Sequence, residues 1–171
     1  MKKRFSLSSL LILLLSSTSY AATDASTDVS VMPEADPICN NTLVCELGSK
    51  AEQAFFQGWA NGDWSDFQAM LNKDDLIFQF PAGPLKGRTE GKQGYQNMVN
   101  WIAHHIESKN RIHKSVRNQR FGLDDWYYFA DEADGTFYGN AYTGSHFIGF
   151  RFNNGKIVEY REYVGDLTHW K

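Results

Sequence analysis

Long apolar runs, basic clusters and cysteines are what this 171-residue sequence has least of. The main apolar stretch, Leu7 to Leu15 in MKKRFSLSSLLILLLSSTSYAATDAS, is too short to cross a bilayer as a helix. The net charge is −3 at pH 7, and no basic run follows Lys2, Lys3 and Arg4, so nucleic acid is not expected as a partner. Cys39 and Cys45, in PICNNTLVC, are too widely spaced for a CxxC redox motif and too few for a metal site. No internal repeat and no second domain are legible.

What is present reads in order along the chain. A basic head, an apolar stretch and small residues ending in Ser19-Tyr20-Ala21-Ala22 predict a signal peptide over residues 1–22. The expected destination is the bacterial periplasm or the medium, with no membrane anchor once the peptide is cut. In such an oxidising space the cysteines are expected to pair. The Ser-, Thr- and Asp-rich residues after the cut read as a flexible leader over 23–45 that carries this disulfide loop. Residues 46–171 are expected to form one domain.

From Glu46 the periodicity is helical, with Leu47, Ala51, Ala54, Phe55, Gly58 and Trp59 on one face and Asn61-Gly62 as the stop. Asp63 is placed to cap a second helix carrying Phe67, Met70 and Leu71. LIFQFP reads as a short strand. A third helix is expected from Lys92 to Ile106, with Tyr95, Met98, Val99, Ile102 and Ile106 inward. Thereafter the chain reads as strands over 111–121, 125–132, 137–152 and 156–164, separated by turns at Gly122, Asp134-Gly135 and Asn154-Gly155. Helices followed by antiparallel strands define an α+β fold, with helices on one face of a bent sheet.

The last hairpin, FRFNNGKIVEYREYV, admits two registers. A two-residue turn would mix charged and apolar groups on each face. A three-residue loop, Asn153-Asn154-Gly155, segregates them, and segregation is the stronger constraint. That register places Phe150 opposite Val158, Ile148 opposite Tyr160 and His146 opposite Glu162, all inward. Arg151, Glu159, Arg161, Phe147 and Tyr163 take the other face.

The strings GWANGDWSDFQAMLNKDDLIFQFP, GRTEGK and IGFRFNNGKIVEYREYVGDL resemble the nuclear transport factor 2-like superfamily, nearest to SnoaL-like polyketide cyclases and the phenazine-biosynthesis A/B proteins. The likeness spans about residues 47–167. It implies a cone, a strongly curved antiparallel sheet wrapped around about three helices with an apolar pocket, commonly in a homodimer. Ketosteroid isomerases of this superfamily carry a base Asp before a proline and an oxyanion tyrosine; the matching positions here are Phe80 and Phe55, which excludes that design. The last acid of the limonene epoxide hydrolases matches Glu162 in Arg161-Glu162-Tyr163, but their other Asp falls near Glu132 and their arginine near Ala130. The glutamate of the phenazine proteins also matches Glu162, their Asn-His-Phe resembles Ser145-His146-Phe147, and their helix histidine falls on Met98.

Glu162 with His146 is therefore the candidate acid/base pair, and Phe55, Trp59, Phe78, Phe80, Met98, Trp101, Ile148 and Tyr160 are the candidate walls of a pocket for a small hydrophobic molecule. No metal or cofactor is expected: His104, His105 and His113 read as a solvated helix end and strand, with no carboxylate to complete a set. Asp131, Glu132 and Asp134 read as solvated turn charges. Three functions stay open: a pocket that only binds, an acid/base enzyme of cyclase, hydratase or isomerase type, and an interaction module with a filled interior.

Overall fold

The computed structural model describes residues 37–165; the expected signal peptide over 1–22, most of the leader and the last six positions lie outside the described residues. Asn41 starts helix α1 (Thr42–Asn61) by accepting from Val44 N–H at 3.4 Å, so the helix begins ahead of the expected Glu46. Gly62, at φ 85°, ends it as expected in a left-handed cap, its N–H on the Gly58 carbonyl at 2.8 Å. In the short α2 (Ser65–Met70), Asp63 Oδ1 accepts from Ser65 N–H at 3.1 Å and holds the first turn. Strand β2 (Ile77–Phe80), a 3-10 turn and β3 (Gly87–Thr89) lead into α3 (Gly91–Glu107).

Helix α3 is rotated from its expected face. It buries Gly94, Met98, Trp101, Ile102 and His105, while Ile106 is exposed. Gly94 explains the rotation: its Cα lies against the Leu76 carbonyl, where any side chain would collide. His105 is consequently a core residue and not part of a solvated helix end.

Strands β4 (Arg111–Leu123), β5 (Trp126–Phe137), β6 (Asn140–Asn153) and β7 (Lys156–Val164) form an antiparallel meander. The open seven-stranded sheet has the order β1-β4-β5-β6-β7-β2-β3, with β1 (Ile38–Cys39) parallel to β4 and β2 parallel to β7. Helix α1 packs on β4, β5 and β6, and α3 on β2 and β3. Between the layers Phe55, Phe67, Phe78, Phe129, Phe150 and Tyr160 are fully buried, each ring contributing about 2–3 kcal/mol relative to exposure. This is the expected α+β cone.

The expected turn at Asp134-Gly135 is mid-strand. β5 continues to Phe137 and turns at Tyr138-Gly139, with φ of 52° and 78°, the left-handed pair that suits a two-residue hairpin. Gly135 is needed for a different reason: a Cβ there would strike the Arg111 carbonyl on β4. Gly122 likewise lies within β4, beside the Cys45 sulfur.

The β6–β7 hairpin also differs. Asn154-Gly155 forms a two-residue turn with Asn153 opposite Lys156. Phe152 then faces Ile157, and Arg151 faces Glu159, which leaves Val158 as an extra residue in β7. The bulge restores the segregation that the turn alone would destroy. Beyond the bulge the side chains keep their expected faces, but Val158 loses its expected place opposite Phe150 and the partners move by two: Phe150 faces Tyr160, Ile148 faces Glu162 and His146 faces Val164. His146 and Glu162 are thus not directly opposite.

Cys39 and Cys45 form a disulfide that ties β1 to the first turn of α1. Closing so short a loop is worth roughly 2 kcal/mol. Denaturant unfolding with and without reductant is expected to show that loss, and coincident curves would count against it.

Candidate functional site

Period-two alternation builds the site. Tyr127, Phe129, Asp131 and Ala133 of β5 point inward, as do Tyr142, His146, Ile148 and Phe150 of β6 and Tyr160 and Glu162 of β7. Three ionisable side chains therefore meet on an otherwise apolar concave face: Asp131 at 2% exposure, His146 at 8% and Glu162 at 5%. Isolated charges at such burial cost several kcal/mol, so each needs partners.

The partners form two chains. Ser115 Oγ donates to Asp131 Oδ2 at 2.8 Å, Asp131 Oδ1 lies 2.9 Å from His146 Nδ1, and His146 Nε2 lies 2.6 Å from the Tyr142 hydroxyl. Separately, the Tyr160 hydroxyl donates to Glu162 Oε2. Burial pushes the His146 pKa down, but the Asp131 hydrogen bond and the charges of Glu162 and Asp131 outweigh it and raise the value above 6.5. Burial raises Glu162 above the ordinary carboxylate value, against the lowering effects of His146 and the Tyr160 bond. Burial, together with the Glu162 charge and hydrogen bond, holds Tyr160 well above 10 and therefore neutral. An imidazole bonded to Asp131 and Tyr142, with its pKa raised, beside a carboxyl group whose pKa is also raised, places a proton donor and an acceptor together.

The group opens onto a cavity lined by Phe55, Phe56, Trp59, Trp101, Ile112, Phe137, Tyr142 and Ile148. Its free space is about 10 Å3 for the centre of a water molecule, the room one water needs. Phe56 is the one lining residue that is half-exposed and so marks the rim; the Arg117 guanidinium lies 4.6 Å from its ring centre. Of the expected pocket residues, Phe55, Trp59, Trp101 and Ile148 line this cavity. Phe78, Phe80 and Met98 do not; they are packed into the core between α3 and β2. Tyr160 reaches the site through its hydroxyl alone.

The expected His146–Glu162 contact is replaced by an electrostatic coupling through the cavity, and the hydrogen-bond partner of His146 is Asp131. Asp131, expected among solvated turn charges, is inward and buried, while Glu132 and Asp134 are exposed. Tyr142 was also missed. The signal was the alternation Tyr127-Phe129-Asp131-Ala133, hidden by ending the strand too early. The histidines His104, His105 and His113 are not gathered: they bond Tyr138, Asn110 and Thr136 respectively.

On the outer face, Glu159 is buried beneath Arg88, Arg151 and Arg161, at 3.2, 2.9 and 2.5 Å. Trp126, Tyr128 and Phe147 stack beside them. From Glu159 onward both faces of β7 are therefore as the alternation implied.

Comparison with known proteins agrees with the cone. An NTF2-like protein from Anabaena variabilis superposes with a TM-score of 0.62 at 26% identity, over 72% of this chain and 90% of that one. A putative isomerase from Bacillus subtilis gives 0.60 at 19% identity, over 72% and 90%. An LEH-like epoxide hydrolase from M. tuberculosis gives 0.54 at 14%, over 73% and 86%. The last two likenesses speak to the fold alone. Among curated proteins there is no significant match. The sequence profile of the SnoaL-like domain matches residues 53–160, most of the chain, and this protein therefore belongs to the SnoaL-like domain family.

Proposed function

We propose that this protein is an acid/base enzyme that moves protons on a small, uncharged, largely apolar molecule, with Glu162 as base and the His146–Asp131 pair as acid. One observation carries the reading: three ionisable groups are buried together at a cavity, where burial raises the pKa of Glu162 and the two carboxylates raise that of His146 against its own burial. Burial of this kind is costly for stability and has a use in proton transfer. Asp131 fixes the imidazole through Nδ1 and leaves Nε2 on the Tyr142 side, where the cavity lies. Isomerase, hydratase and hydrolase chemistry commonly use a paired proton donor and acceptor, and a putative isomerase and an LEH-like epoxide hydrolase are named among the proteins of like fold. The disulfide and the short apolar N-terminal stretch support work in an exported, oxidising setting.

Binding without turnover is the second reading, favoured by cavity walls that are mostly aromatic and aliphatic. Solvent deuterium separates the two. Small molecules that co-purify with the protein are to be identified by mass spectrometry and incubated with it in D2O. Protein-dependent uptake of deuterium, or conversion, is the expected result. A bound molecule that stays unchanged across the pH range would replace the first reading by the second.

A further inference from the structure

We propose that the Tyr142 hydroxyl is the acid that meets the substrate, as the last member of a relay from Asp131 through His146, and that Gly144 is what seats it there; this rests on the acid/base reading above. Tyr142, Gly144 and His146 are alternate residues of β6, all buried on its concave face. Asp131 lies 2.9 Å from His146 Nδ1, and the Tyr142 hydroxyl 2.6 Å from Nε2. A ring nitrogen carries one proton or one lone pair, so each makes one hydrogen bond. Both nitrogens of His146 are therefore taken. A proton that leaves Nε2 passes through the Tyr142 oxygen, and both residues line the cavity.

Gly144 is the reason the hydroxyl can stand there. Four residues of strand separate the backbones of Tyr142 and His146 by about 13 Å, and the phenol covers that gap by lying along the strand over residue 144. A Cβ at Gly144 would collide with the Tyr142 hydroxyl and press on His146 Nε2 at 3.2 Å. The φ of Gly144 is not positive, so the backbone itself makes no demand for glycine at this position. The demand is the phenol's. Phe137, edge-on to the Tyr142 ring with centroids 4.1 Å apart, holds it in that pose.

The proton step balances within the relay. With His146 protonated, Nδ1–H donates to one oxygen of Asp131 while Ser115 Oγ–H holds the other. Nε2–H donates to the Tyr142 oxygen, and the phenol turns its own O–H to the substrate. The phenolic proton passes to the substrate atom as that O–H bond breaks, and the Nε2 proton replaces it on the Tyr142 oxygen. The imidazole ends neutral, Tyr142 ends as a phenol that donates to Nε2, and no phenolate is left. Glu162 holds the proton taken from the substrate, and exchange with solvent resets both groups.

Two variants test this in different ways: Tyr142→Phe removes the hydroxyl and keeps the ring, whereas Gly144→Ala keeps the hydroxyl and displaces it. His146, one of five histidines, is followed by NMR of 15N-histidine protein and assigned through nuclear Overhauser contacts to the ring at position 142. The charged groups facing it are Asp131 of β5 and Glu162 of β7; α1 and α3 present only Phe55, Phe56, Trp59 and Trp101 to the cavity. Without the oxygen in place the imidazolium Nε2–H loses its acceptor, so the His146 titration midpoint is expected to fall in both variants. Deuterium uptake by the co-purifying molecules is expected to fall roughly 100-fold or more in both. Undiminished uptake by folded Tyr142→Phe, or an unmoved midpoint in both variants, overturns the proposal and leaves the acid/base reading standing. No uptake even by the wild type overturns both. Should neither variant fold, the wild type decides: neutral His146 is expected to carry its proton on Nδ1, and a proton on Nε2 instead would break the relay.

Discussion

With Glu162 as the proposed base, Glu162→Gln is expected to reduce turnover by roughly 10²–10⁴-fold, the usual contribution of a positioned acid or base, while the folded state survives and gains stability as pH rises past the ordinary carboxylate value. The amide keeps the shape and still offers an oxygen to the Tyr160 hydroxyl. What it loses is the ability to take a proton. The stability effect follows from linkage. Burial raises the Glu162 pKa above 4.5, so the folded chain holds this proton more tightly than the unfolded chain does. The carboxyl group therefore favours folding below the unfolded value, and that contribution is lost as pH rises through the folded value. Gln escapes the loss. Thermal unfolding as a function of pH, run beside the deuterium assay, measures both effects. Undiminished turnover in a folded variant would remove Glu162 from the mechanism.

The second large effect concerns acid stability and His105. This imidazole is packed against Trp59, Trp101 and Phe137, with Asn110 donating to its Nδ1 at 2.8 Å. Burial, helped by the neighbouring His104, pushes its pKa down to about 3. In the unfolded chain the group titrates near 6.5, so between these values the unfolded state binds one more proton. Stability is full above pH 6.5 and falls as the pH drops toward 3, by up to about 1.4 kcal/mol per pH unit. His146 works in the opposite sense: its raised pKa gives stability that is present below 6.5 and lost as pH rises through the folded value. His105→Gln keeps an acceptor for Asn110 but has nothing to titrate, and its acid-unfolding midpoint is expected at lower pH than the wild type. Identical acid midpoints would show that His105 is not the acid-sensitive group.

Much of this was legible in the sequence, and the misses share causes. Alternation put Glu162, His146 and Ile148 on the concave face and Arg151, Glu159 and Arg161 on the convex one, because a sheet with one greasy side tolerates no slip of one residue. Asn61-Gly62 stopped α1 because a left-handed cap suits glycine, which has no Cβ to clash there. Asp131 was lost because Asp-Gly is a strong turn signal, whereas Gly135 is there to let β4 pass close to β5. The rotation of α3 depends on Gly94 meeting the Leu76 carbonyl, a contact between distant segments that no local periodicity encodes. Buried Glu52 belongs to the same class. Inside, Tyr127 donates to it at 2.5 Å and Arg117 pairs with it at 3.1 Å.

The extra residue in β7 has one more consequence. With Val158 looped out, Ile157 and Glu159 already face Phe152 and Arg151 as consecutive residues of a regular strand would. The two halves of β7 are out of phase in the sequence and in phase in space. Excising Val158 would straighten the strand without exchanging its sides, so Glu162 would stay indoors and Arg161 outdoors. The Asn154-Gly155 tip is in this way insulated from the end of the hairpin that carries His146 and Glu162: length can change at one end without being transmitted as an inversion at the other.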